Sequence, residues 1–285
     1  MEDQQHRIPM KMGGEIVLHR LIGKERHGLP VVVAHGTLSN ADAVRNLAEY
    51  LGHLGFDCWL LEWGGHGQSK PARKRQNFEY PAFHDAPLAI EYVLSQTRQE
   101  KLFWVSHSGG GHLPLMHLSR HPEEQRKLAG IATLGTQATD AAIGLKYQLS
   151  TRYLGLVSNT LGCVPRKLLP IAAVEGEPTN LLGQWATWNL ARRWMGDDGF
   201  DYMSNLSLLN TPFFMIAGGD DEIAPASGCK KIFDHMNSED KSWLECSVSN
   251  GFSKNYAHGQ LVRGSAAQSE IFPRIGEWLS ERSPS

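Results

Sequence analysis

The segment that most restricts this chain is an apolar pentapeptide that runs straight into a glycine-rich turn. Lys101–Val105 (KLFWV) has the length and composition of a buried strand, and Ser106-His107-Ser108-Gly109-Gly110-Gly111 follows at once. A helical pattern then extends from about Gly110 to His121, where Pro122 stops it. A strand, a tight turn and a helix joined without spacers occur where a parallel sheet passes its chain to a covering helix. Such turns bring backbone N–H groups to one point, which suits phosphate binding or an exposed nucleophile. The phosphate reading requires GxGxxG or a glycine run ending in Lys-Ser/Thr, and neither is present.

The rest of the chain repeats this alternation. Expected strands are 15–22, 29–34, 57–62, 128–134, 212–217 and 242–248. Expected helices are 40–54, 82–97 and 265–282. Residues 137–210 break the rhythm, being richer in helix formers and in aromatics such as Tyr147, Tyr153, Trp185, Trp188 and Trp194. The organisation expected is an α/β core from 1–136 and 211–285, a mostly parallel sheet flanked by helices, with 137–210 inserted as a helical cap.

Bulk composition excludes several classes. With 41% hydrophobic and 20% charged residues, 285 positions suffice for a full core. A formal net charge of −2 and no basic stripe argue against a nucleic-acid partner. No apolar run is long enough for a membrane span, and the N-terminal residues show no secretory h-region. Cys58, Cys163, Cys229 and Cys246 lack disulfide or zinc spacing, so a reducing, cytoplasmic setting is expected. The histidines form no HExxH pair, His117 and His121 being four apart on one helix, and no metal or cofactor is expected. Nothing in the sequence fixes an oligomeric state.

A serine hydroxyl becomes a nucleophile when a base takes its proton and a sharp turn exposes it. Ser106-His107-Ser108-Gly109-Gly110 fits G-x-S-x-G with Ser106 in place of the first glycine, which makes Ser108 the nucleophile and puts Ser106 in a crowded slot. The oxyanion donors expected are the N–H groups of Gly109 and of Thr37, which follows His35-Gly36 at the end of LPVVVA. The acid is expected after a late strand: Phe213–Ala217 leads into Gly218-Gly219-Asp220-Asp221-Glu222-Ile223-Ala224-Pro225, with Asp221 in register and Asp220 the alternative. His258, in Asn255-Tyr256-Ala257-His258-Gly259, is the one histidine in the last fifty residues and completes the chain order Ser, Asp, His. His35 and His107, beside these two turns, are candidate substrate contacts, together with Leu181, Trp185 and Trp188 of the cap. That apolar stripe equally suits packing of the cap on the core.

With these residues in place the chain resembles the α/β-hydrolase superfamily along essentially its whole length. The block Trp63-Gly64-Gly65-His66-Gly67-Gln68-Ser69 is similar to the R-G-x-G-x-S turn that shapes the site wall. Residues 81–111 resemble the acid-lipase-like and polyester-synthase-like branch, in which an aspartate such as Asp85 opens the helix before the nucleophile strand. Asp85 is read here as a helix N-terminal acid with no chemistry. The resemblance implies a serine hydrolase that cleaves a small-molecule carboxylic ester with a hydrophobic or medium-chain acyl group. Thioesters, lactones and carbon–carbon bonds are alternatives for the same nucleophile. A ligand-binding member that has lost a triad residue is a further class, and here all three positions are filled.

Overall fold

The computed structural model describes residues 1–23, 28–72, 76–169 and 173–283. The interval 137–210, read above as an insertion, contains residues 170–172, which lie outside them. The strands are β1 (Glu2–Pro9), β2 (Glu15–Ile22), β3 (Pro30–Ala34), β4 (Asp57–Glu62), β5 (Leu102–His107), β6 (Leu128–Leu134), β7 (Phe213–Gly218) and β8 (Lys241–Cys246). They form one sheet in the order β1-β2-β4-β3-β5-β6-β7-β8. β1 and β2 are antiparallel to their neighbours, and every pairing from β4 to β8 is parallel.

A parallel sheet with both faces covered needs strands that are apolar throughout. β3, β4, β5 and β7 are buried at every position. The period of two then sends alternate residues to two cores. Val32, Ala34, Trp59, Trp104 and Met215 face one layer, with Ile90, Val93, Leu113 and Met116. Val31, Val33, Leu60, Phe103, Val105 and Ile216 face the other, with Leu47, Leu51, Ile275 and Trp278. Each fully enclosed large apolar side chain contributes roughly 1.5–3 kcal/mol.

The covering helices are α1 (Arg45–His53), α2 (Ala86–Thr97) and α3 (His112–Arg120). Between β6 and β7 come α4 (Leu145–Leu161), α5 (Leu181–Ala191) and the short α6 (Tyr202–Asn205). α7 (Ala226–His235), α8 (Ser265–Glu270) and α9 (Phe272–Ser280) complete the chain order. α4 crosses α5 at small residues: a Cβ on Gly155 would lie 2.8 Å from the Ala186 Cβ. Leu154 of α4 and Leu182 of α5 share a small core with Leu38 and Val164. No helix among the described residues is long and apolar enough to cross a membrane.

Two local expectations change. The final helix is two pieces, α8 and α9, with Pro273 in the first turn of α9, where its missing N–H costs nothing. β1 was not anticipated. Its sequence EDQQHRIP is largely exposed, and backbone pairing along the whole of β2 holds it.

Candidate active site

β5 ends at His107, Ser108 opens a turn of 3₁₀ helix, and α3 begins at His112. Ser108 has φ 52°, a left-handed conformation that costs a non-glycine residue about 1–3 kcal/mol unless its surroundings impose it. They do. The Ser108 carbonyl accepts from Thr136 Oγ1 at 2.8 Å. Trp104, fully buried in the sheet core, donates its Nε1–H to the Gly110 carbonyl at 3.2 Å. Burial pushes His112 down to about 4, so its imidazole is neutral, and Nε2 donates to the Gln137 carbonyl at 2.9 Å. Gly36 lies so close that a Cβ there would stand 2.8 Å from the Ser108 Cβ.

The two serines of the turn have different surroundings. Ser106 is 1% exposed and paired in the sheet between Ala34 and Thr133, where a hydroxyl is accommodated in place of the usual glycine. Ser108 faces a cavity of about 510 Å³. His258 lines that cavity as well. Its Nδ1 donates to Asp221 Oδ2 at 2.7 Å, which commits that nitrogen. The other Asp221 oxygen, Oδ1, accepts from the backbone N–H of Ile223 at 2.9 Å and Ala224 at 2.7 Å. Asp221 is 5% exposed, whereas Asp220 is exposed and makes its contact through its backbone N–H, to the Tyr256 carbonyl.

At the same end of the sheet, the Thr37 amide nitrogen lies 3.1 Å from where a Gly109 Cβ would stand, so the two backbones are side by side. Both residues line the cavity with Ser108. The C-terminal ends of β3 and β5 thus bring two backbone segments against one serine.

Residues 26–246 match the family described as "Serine aminopeptidase, S33". The chain belongs to this S33 family of α/β-hydrolases. The poly(3-hydroxyalkanoate) polymerase subunit PhaC of Haloarcula marismortui is 20% identical, over 91% of this chain and 62% of its own length. The human lysosomal acid lipase/cholesteryl ester hydrolase is 26% identical, over 48% of this chain and 40% of its own. The chain therefore spans less than two thirds of either relative. A soluble variant of monoglyceride lipase from Saccharomyces cerevisiae, solved with a substrate analogue, superposes with a TM-score of 0.75 at 16% identity. It covers 100% of this chain and 96% of that one, which establishes the fold. A polyhydroxyalkanoate polymerase subunit and an acid lipase thus stand among the relatives, in keeping with the branch that residues 81–111 resemble.

The walls of this S33 cavity were partly legible in advance. His107 and Trp185 line it; the other lining side chains include Leu38, Phe78, Leu154 and Leu182. Leu181 and Trp188 do not. Each is about 1% exposed, and Trp188 packs on Phe78 at 5.3 Å while donating Nε1–H to the Met195 carbonyl at 2.7 Å. His35 is also fully enclosed, stacked on Trp63 at 5.3 Å with Nδ1 against the Gly36 carbonyl at 2.7 Å. Burial, then the neighbouring His66, holds its imidazole well below the usual range.

Two residues near the site were not anticipated in these roles. Gly135, after β6, has φ 62°, and a Cβ there would lie 3.1 Å from His258 Nδ1. The signal was present, since Leu134-Gly135-Thr136 ends a core strand where such folds place their sites. Asp85 does not cap α2: its buried Oδ2 accepts from the Gly64 N–H at 2.7 Å and ties α2 to the turn after β4. Among the described residues no group of three or more His, Cys, Asp or Glu is arranged to hold a metal ion.

Proposed function

We propose that this chain hydrolyses carboxylic esters of hydrophobic or medium-chain acyl groups, with Ser108 as nucleophile, His258 as base and Asp221 as the residue that orients the histidine. The observation that carries this reading is the His258 Nδ1–Asp221 bond of 2.7 Å beside a left-handed Ser108, both at one largely apolar cavity. A carboxylate on Nδ1 selects the tautomer whose Nε2 is a free base.

His258 Nε2 takes the Ser108 hydroxyl proton as Oγ attacks the ester carbonyl carbon. Negative charge develops on the carbonyl oxygen, and in this reading the N–H groups of Gly109 and Thr37 stabilise it. The histidine then gives its proton to the departing alkoxide, leaving an acyl group on Ser108. Water, giving a proton to His258, then attacks the acyl carbon; the acyl–Oγ bond breaks, the histidine returns the proton to Ser108 Oγ and the carboxylic acid leaves.

Residues 137–210 act in this reading as the cap. Leu154 and Leu182 from α4 and α5, with Phe78 and Trp185, supply apolar wall for the acyl chain. His107 lines the same space, whereas Leu181 and Trp188 support the wall from behind.

The test is fluorophosphonate labelling together with turnover of p-nitrophenyl esters of rising chain length, on wild type and Ser108→Ala. Wild type is expected to label and to favour acyl chains longer than acetyl. Ser108→Ala is expected to lose the label and to fall by about 10⁴-fold or more in kcat. Full labelling of Ser108→Ala overturns the nucleophile, and no turnover of any ester by wild type overturns the substrate class.

A further inference from the structure

Leu38, next to Thr37, has φ 58°, a conformation that a branched apolar residue adopts only under constraint. The constraint comes from residues 174–177, distant in sequence. The Leu38 carbonyl accepts from the N–H groups of Val174 at 3.1 Å and Glu175 at 3.2 Å. The Leu38 N–H points to Glu177 Oε2 at 3.4 Å. Both peptide groups of the strained residue are therefore held by one stretch of chain.

The Glu177 carboxylate is itself held on all sides. Oε1 accepts from the N–H of Thr179 at 3.4 Å and from its hydroxyl at 3.2 Å. Oε2 meets His66 Nε2 at 3.1 Å, and both side chains are completely enclosed. Glu177 also exchanges two backbone hydrogen bonds with Val164, at 2.7 and 2.8 Å. Gly67, in the turn with His66, donates its N–H to Glu175 Oε1 at 3.1 Å. A charge buried this deeply is tolerated only when it is paired and hydrogen-bonded. Leu38 and His66, from the turns after β3 and β4, thus meet at the Glu177 carboxylate, and Leu38 adjoins Thr37.

We infer that Glu177, paired with His66, is a positioning residue for ester hydrolysis: it locks Leu38 in its left-handed conformation and so aims the Thr37 N–H at the developing oxyanion. This rests on the reading of Thr37 as an oxyanion donor. Glu177 touches no reacting atom. Its effect is transmitted through one peptide, and the donor it places matters most when charge is greatest, so the loss should fall on kcat and spare KM.

The experiment compares kcat, KM and thermal midpoint of wild type, Glu177→Gln, His66→Gln and the double variant, with Ser108→Ala alongside. Glutamine keeps the size of the carboxylate and one acceptor but cannot pair with an imidazolium. Glu177→Gln is expected to lose tenfold or more in kcat, with KM within threefold of wild type. The double variant is expected to lose no more than the worse single one, because the pair acts as a unit. A kcat within threefold of wild type, measured well below the midpoint, overturns the proposal even if the midpoint has fallen, since that is the mark of a purely structural pair. Should Glu177→Gln fail to fold, His66→Gln retains the carboxylate and is judged by the same threshold. If Ser108→Ala is inactive while Glu177→Gln is fully active, the positioning role alone falls. If Ser108→Ala keeps its turnover, the reading of the site falls and takes this inference with it.

Discussion

The His107 imidazole reaches across the site to the backbone of His258, with Nε2 3.1 Å from the carbonyl oxygen and the two rings 4.6 Å apart. Burial, followed by the charge His258 would carry, holds His107 well below the usual histidine range. The carbonyl can only accept, so His107 Nε2 is the donor in this contact. The residue immediately before the proposed nucleophile thus fastens the loop that carries the proposed base. His107→Ala is expected to lower kcat by roughly tenfold. It should also cost about 1 kcal/mol of stability, because a part-buried carbonyl loses its partner. Steady-state kinetics and chemical denaturation check this; unchanged kcat would show that the loop holds itself.

A side chain on Gly135 would crowd the His258–Asp221 bond. A Cβ would lie 3.1 Å from His258 Nδ1 and 3.2 Å from Asp221 Oδ2, on a backbone with φ 62°. Gly135→Ala is expected to push the histidine off the acid and to reduce kcat/KM by about 10²-fold or more. The protein should remain folded, which circular dichroism checks. Activity within a few-fold of wild type would mean that the bond is not needed in the geometry described.

The two adjacent acids of the β7 turn separate cleanly. Asp221→Asn should reduce kcat by about 10⁴-fold, because an amide no longer selects the right tautomer. Asp220→Asn, at an exposed position, should stay within threefold. Measuring both under identical conditions decides the assignment, and the opposite ranking would move the acid to Asp220.

Asp85 gives a stability signature that depends on pH. Burial pushes its carboxyl up to about 7, against the opposing pull of the Gly64 N–H and of His66. The folded state therefore keeps a proton that the unfolded chain releases near pH 4. Stability from this group is greatest at low pH, falls as pH rises through the window from about 4 to 7, and is level above it. The shift corresponds to a few kcal/mol. Asp85→Asn, which still offers Gly64 an acceptor, should flatten that descent in a series of thermal midpoints from pH 4.5 to 8. A variant with the slope of wild type would place the titration elsewhere.

Much of this molecule is legible in the sequence because burial on both faces writes itself into β3, β4, β5 and β7 as the apolar runs VVVA, CWLL, LFWV and FFMIA. The turns that follow β3, β5 and β7 carry Thr37, Ser108 and Asp221, and their order along the chain could be read before their distances. β1 could not. Edge strands need only backbone partners, and EDQQHRIP shows no apolar alternation. Trp185 and Trp188 show a second limit. α5 is buried on most of its circumference, so an apolar stripe does not say which side looks into a cavity and which into the core. The His66–Glu177 pair shows a third, since neither residue has a local pattern and they meet across most of the fold.

The hold of residues 174–179 on Leu38 bears on how such a protein can be re-engineered or can diverge. The stretch between β6 and β7 is not an interchangeable accessory, because it carries hydrogen bonds that fix a loop of the core. A chimera that grafts a relative's stretch onto this sheet has to bring along, or reinvent, an acid that reaches His66. The cavity wall is then most safely altered through α4 and α5 while 174–179 is left in place.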